Sequence, residues 1–151
     1  MKTTADAPAR GAPAGVPAAA DVLARSSGEN FPVACWVLGR RARADLLAIY
    51  GYARLVDELG DSLEGDRAVA LDWVEEELDR AYHGEAVHPI LVALEPVLRA
   101  RELPREPFAR LIEANRTDQR VSRYETWEQL HGYCRLSADP VGELVLGVFG
   151  V

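Results

Sequence analysis

Ala48-Ile49-Tyr50-Gly51-Tyr52-Ala53-Arg54-Leu55-Val56-Asp57-Glu58-Leu59-Gly60-Asp61 is the stretch whose pattern decides the fold. Extended back to Arg43, it repeats Leu46, Ile49, Tyr50, Ala53 and Val56 at three- and four-residue intervals. That spacing places them on one face of an α-helix, and no clean two-residue alternation of a half-buried strand is present. The expectation is a helix over 43–61, ended by Gly60 and Gly65. At about 100° per residue, Asp57 falls between Tyr50 and Ala53 on the inward side, with Arg54 and Asp61 just beside it. Glu58 points further round and is expected to face water.

The same period continues on either side. A helix is expected over 66–82, with Leu71, Val74, Leu78 and Tyr82 inside and Glu75, Glu76 and Glu77 on the wet side. Pro89 opens a third helix as its first residue, and Pro96 is expected to kink or end it. Pro104 and Pro107 punctuate the start of a fourth, which turns Phe108, Leu111 and Ile112 inward. Asn115, Asp118 and Gln119 continue that face as polar groups. Either the helix emerges into solvent there, or it lines a polar pocket. Thr126 with Gln129 three residues on is an N-terminal capping signal for a fifth helix. That helix reaches about Ala138, carries Leu130, Tyr133, Cys134 and Ser137 on one face, and breaks or kinks at Pro140. Residues 21–25 suit a short helical turn, and Pro32 marks another helical start. The fold class is all-α.

Residues 1–20 are mostly Ala, Pro and Gly, and are expected to form a disordered leader with few contacts. Residues 21–151 then form the folded part. The last stretch, Val141 to Val151, is apolar at almost every position. An uncovered apolar helix of this kind is expected where further helices pack on it, so the chain reads as the N-terminal part of a larger, incomplete bundle.

With 151 residues and a 48% apolar share, the chain can bury a core of one domain or part of one. A net charge of -7 argues against nucleic-acid binding, which needs a basic stripe to displace counterions from phosphates. An acidic chain can still take a phosphorylated substrate when a metal ion supplies positive charge. Cys35 and Cys134 form no CxxC pair and share no ligand spacing with His83, His88 or His131, so a zinc site is not expected. The histidines read as surface or capping residues. No signal-peptide core and no membrane-length apolar stretch is present, and the expected location is cytoplasmic.

Two segments invite chemistry. Acidic residues four apart at a helix end are commonly just solvated. Asp57 and Asp61, however, project from the apolar side, where ionised carboxylates are costly to bury unless a cation compensates them. Mg²⁺ suits such a pair, since it takes one or two carboxylates together with substrate phosphates. The second segment, Tyr133-Cys134-Arg135-Leu136-Ser137-Ala138-Asp139-Pro140-Val141-Gly142, sets an inward tyrosine before small residues and a Pro/Gly break. That allows a bend beside a cavity, although taken alone a plain core tyrosine with its hydroxyl satisfied locally is the better reading.

Taken in order, these segments resemble the squalene/phytoene synthase family over residues 26–151. Residues 48–61 are similar to its first aspartate-rich helix, AIYxxxRxxDDxxD, and Tyr133 to Gly142 resembles its YCxxxAxxVG motif. Arg123-Tyr124-Glu125-Thr126 lies in the segment before its catalytic tyrosine. Gly28 to Ala34, Ala114 to Gln119 and Ser137 to Gly142 are most similar to the hydroxysqualene synthase branch of hopanoid biosynthesis. The resemblance implies an isoprenoid synthase-type helical bundle. It also implies that Asp57 and Asp61 ligate Mg²⁺ bridging a substrate diphosphate, that Arg54 contacts that diphosphate, and that Tyr133 is catalytic. Asn115, Asp118 and Gln119 become candidate pocket residues. Glu58 stands where the family has a second aspartate, which puts a ligand role there in doubt, and Ser27 stands where some relatives have a diphosphate-binding histidine, so no role transfers to Ser27. The implied substrate is presqualene diphosphate, or farnesyl diphosphate in a condensing relative, with room for peripheral membrane contact. The family's second aspartate-rich motif is not found, so the 151-residue chain alone is expected to be inactive. A noncatalytic helical interaction module is the reading from another class.

Overall fold

The computed structural model describes residues 11–25 and 38–151. Cys35, Ser27, the start at Pro32 and the Gly28–Ala34 segment lie outside the described residues, as do residues 1–10. Seven helices form among those described: α1 (Ala19–Arg25), α2 (Arg40–Asp61), α3 (Arg67–His83), α4 (Pro89–Arg101), α5 (Arg105–Asp118), α6 (Trp127–Ser137) and α7 (Asp139–Phe149). The all-α expectation holds, and none of these helices is long and apolar enough to cross a membrane.

Helix α2 is the hub. It packs against α1, α3, α4, α5 and α7, whereas α6 rests mainly on α5 and α7. Being wrapped from several sides rotates and widens its buried arc relative to the expected stripe. Leu46, Ile49 and Val56 are buried as expected, but Tyr52, Leu55 and Leu59 are fully buried too. Tyr50 and Ala53 are only half-buried. The polar tip of Tyr52 is satisfied: its hydroxyl donates to the Phe108 carbonyl at 2.9 Å, and its ring meets the Phe108 ring edge-on at 5.1 Å.

The helix ends follow local chemistry. Asp66 caps α3 by accepting from Val69 N–H, and Gly84 closes it in the left-handed conformation. Thr126 and Gln129 form the expected reciprocal capping box on α6. His88 caps α4, its Nδ1 accepting from Ile90 N–H, and is also buried with its ring edge-on to Trp73.

Four expectations need correction. Pro96 does not end α4, which runs unbroken to Arg101. Pro96 faces solvent and forfeits one ladder bond there, while Ile90, Leu91, Leu94, Val97 and Leu98 bury the opposite side. Glu77 is not on the wet side of α3. It is buried, with one carboxylate oxygen accepting from Val87 N–H and His88 N–H at 2.9 Å each and the other paired with Arg80. It therefore satisfies backbone donors of the α3–α4 turn, which no helical period reveals.

Residues 11–20 do not stand apart. Ala12 and Val16 pack on the core, Ala19 is buried at the start of α1, and the Pro17 carbonyl lies 3.3 Å from His88 Nε2. Glu58, the fourth case, is buried rather than wet. Gly15 and Pro17 lie across that side of α2 and enclose, with Glu58, Ser62, Leu63 and Glu64, a cavity of about 230 Å³. The partner at hand is Arg54, whose Nε lies 3.6 Å from Glu58 Oε1.

Candidate active site

Three helices converge on one hollow of about 270 Å³. Helix α2 supplies Asp57 and Asp61, α5 supplies Leu111, Ala114, Asn115 and Asp118, and α6 supplies Tyr133 and Ser137. Asp57 and Asp61 are solvent-exposed at its rim rather than embedded among apolar groups. The desolvation cost anticipated from their angular position therefore does not arise. They do share one cavity with Tyr133.

Asn115 locks the α2–α5 contact. Its buried amide donates to Asp57 Oδ1 at 3.3 Å and to the Leu111 carbonyl at 3.1 Å. This approach requires a glycine at position 60, because a Cβ there would collide with Asn115 Oδ1 and come within 2.8 Å of its Cγ. Gln119, expected in the pocket, instead donates to the Gly60 carbonyl at 2.8 Å and the Asn115 carbonyl at 3.2 Å. It ties the two helix ends together behind the cavity. Of the polar trio on α5, Asn115 and Asp118 line the hollow and Gln119 braces it.

Tyr133 is half-buried, and its hydroxyl donates to Asp118 Oδ2 at 2.7 Å. Burial raises its phenol well above the ordinary range, and the hydrogen bond and negative charge of Asp118 raise it further. The hydroxyl is thus held protonated and aimed along the rim that carries the carboxylates. Arg54 is not part of this lining and lies against Glu58 instead.

The donor set is three carboxylates, Asp57, Asp61 and Asp118, with no thiol or imidazole. Hard oxygen donors at a wet rim fit Mg²⁺ or a similar cation. No group of three or more Asp, Glu, His or Cys among the described residues is arranged to hold an ion unaided. A cation here would take further oxygen ligands from water or a bound phosphate, which is the usual habit of Mg²⁺.

Tyr133 also forms a wall of a second hollow of about 450 Å³, lined by Thr117, Val121, Arg123, Tyr124, Gln129 and Leu136 among others. Sequence reasoning missed the Asp118–Tyr133 bond and the Tyr124–Tyr133 ring contact. The first crosses the turn at residues 119–126 and the second starts within it, where helical periodicity stops relating positions.

A family model described as squalene/phytoene synthase matches residues 24–151. The hydroxysqualene synthase of Sinorhizobium fredii is 38% identical over 127 residues, covering 81% of this chain and 42% of its own length. That of Rhodopseudomonas palustris is 40% identical over 125 residues, with the same shares of 81% and 42%. The crystal structure of squalene synthase HpnC from Alicyclobacillus acidocaldarius superposes with a TM-score of 0.80 at 52% identity, covering 87% of this chain and 50% of that one. The chain thus spans about two fifths of the length of the curated relatives it matches, and half of the solved one.

Proposed function

The chain belongs to the squalene/phytoene synthase family, and from that membership we propose that the protein containing it converts presqualene diphosphate to hydroxysqualene in hopanoid-type isoprenoid biosynthesis. The observation that carries this reading is the gathering of Asp57, Asp61, Asp118 and Tyr133 around one hollow. The similarity to two hydroxysqualene synthases supports the choice of branch.

Asp57 and Asp61 would hold Mg²⁺, which when bound supplies positive charge where the diphosphate leaves. Arg54, one turn before Asp57 and with its Nε 3.6 Å from Glu58 Oε1, would contact the same diphosphate. Tyr133 keeps its proton at neutral pH and donates it in a hydrogen bond to Asp118, which leaves the phenol oxygen to accept from the water that captures the carbocation. As that water bonds to the cation it would pass a proton to the Tyr133 oxygen while the Tyr133 proton moves to the Asp118 carboxylate. The substrate and product are lipids, which favours a cytoplasmic protein in peripheral contact with a membrane.

The protein at the length of its relatives, incubated with presqualene diphosphate and Mg²⁺, is expected to yield hydroxysqualene in the extracted lipids. A folded protein that gives none overturns the proposal. A second reading follows from the similarity to the solved relative, a squalene synthase. A condensing enzyme of that type would instead join two farnesyl diphosphates, and squalene or presqualene diphosphate as product would select it.

A further inference from the structure

Tyr124 lies in the turn between α5 and α6, outside the hollow that holds the carboxylates. Its ring is tilted 34° to the Tyr133 ring, with centroids 5.3 Å apart. Its hydroxyl oxygen is buried and has no hydrogen-bond partner among the described residues. The contact that Tyr124 makes with Tyr133 is made by its ring. The helix that carries Tyr133 has no fully buried residue of its own. The Tyr133 ring is therefore held from outside its helix, by Asp118 at the hydroxyl and by Tyr124 against the ring.

We propose that Tyr124 is a positioning residue for Tyr133. Its aromatic ring fixes the plane of the Tyr133 ring between the two hollows and keeps the hydroxyl on Asp118. The proposal rests on the reading of Tyr133 as a reactive group, and its physical part stands independently of that reading. A loosened Tyr133 ring would swing its hydroxyl off the reacting atoms, and small displacements of a reacting group are expensive in rate.

Four variants of the protein at relative length test this: Tyr124→Leu, Tyr124→Phe, Tyr133→Phe, and Tyr133→Phe with Tyr124→Leu. Tyr124→Leu should lower kcat about tenfold with KM little changed. Tyr124→Phe should stay within about twofold of the parent, because the lost hydroxyl made no bond. In the Tyr133→Phe background, Tyr124→Leu should cause no further loss. In the same proteins, ring-labelled tyrosine NMR should find one Tyr133 ring environment with cross-peaks to the Asp118 side chain in the parent and Tyr124→Phe. In Tyr124→Leu those cross-peaks should weaken as the ring loosens. Independent, multiplicative losses, or Tyr133–Asp118 cross-peaks unmoved by Tyr124→Leu, overturn the proposal. If Tyr133→Phe itself leaves turnover unchanged, the reactive role of Tyr133 fails, and the NMR cross-peaks still decide whether Tyr124 positions it.

Discussion

Gly60→Ala tests whether the α2–α5 contact builds the rim of the hollow. In an isolated helix the change is favourable, since alanine gains up to about 1 kcal/mol over glycine. Here the new methyl carbon would overlap Asn115 Oδ1 and lie 2.8 Å from Asn115 Cγ and 3.0 Å from its Cβ. Asn115 must then rotate away, losing its bonds to Asp57 and to the Leu111 carbonyl, or α5 must move outward. Two hydrogen bonds at about 1 kcal/mol each, with overpacking of about 1 kcal/mol, outweigh the propensity gain and leave a net loss of about 2 kcal/mol. At about 2–4 °C per kcal/mol for a domain of this size, Tm should fall by about 4–8 °C. Thermal unfolding followed by circular dichroism measures this. The double variant Gly60→Ala with Asn115→Ala isolates the cause: it removes the overlaps with Oδ1 and Cγ and keeps only the 3.0 Å approach to Cβ, so Gly60→Ala should cost clearly less in the Asn115→Ala background than in the parent. A Gly60→Ala protein as stable as the parent would show that Asn115 has a second comfortable rotamer and that the lock is not one.

In the protein at relative length, Asp57→Ala and Asp61→Ala should each reduce turnover about a hundredfold or more, read as product formed from presqualene diphosphate with Mg²⁺. Deleting residues 1–20 should lower Tm by several degrees, about 1–2 kcal/mol, because it uncovers Glu58 and removes Val16, Ala19 and the Pro17 contact to His88. Unchanged melting would restore the view of a bystander leader. Glu77→Gln should cost about 1–3 kcal/mol in denaturant unfolding, since an amide can satisfy only one of the two sets of donors the carboxylate accepts. Tyr82 donates to the Leu103 carbonyl at 3.0 Å, and burial pushes its phenol up to about 12. A folded pKa above the unfolded value means this stability is complete below about pH 10 and is lost as pH rises toward 12. Tyr82→Phe should flatten the decline in that window, and an unchanged slope of stability against pH would count against it.

The helices and most of their ends were legible because each depends on neighbours a few residues away. Apolar spacing placed α2 to within three residues of its observed start, and Asp66, Pro89 and the Thr126–Gln129 pair act through backbone groups within one turn. The family resemblance was legible for the same reason, since its motifs are local runs. Which face of a helix is covered is a different kind of fact. Glu58 and Glu77 sit at positions that a single amphipathic helix assigns to water. They are buried because residues 11–20 and the α3–α4 turn arrive from elsewhere in the chain.

The hollow divides along the same line. The sequence alone determined that Asp57 and Asp61 share one side of α2, one turn apart, because rise and twist relate them directly. Tyr133 joins Asp118 and Tyr124 only because α6 folds back on α5 and the turn that follows it, and Asn115 reaches Asp57 only because α5 packs on α2. Those contacts depend on how closely whole helices approach, down to the missing methyl group of Gly60. Close packing between segments distant in sequence sets that distance, and no pattern within one segment encodes it.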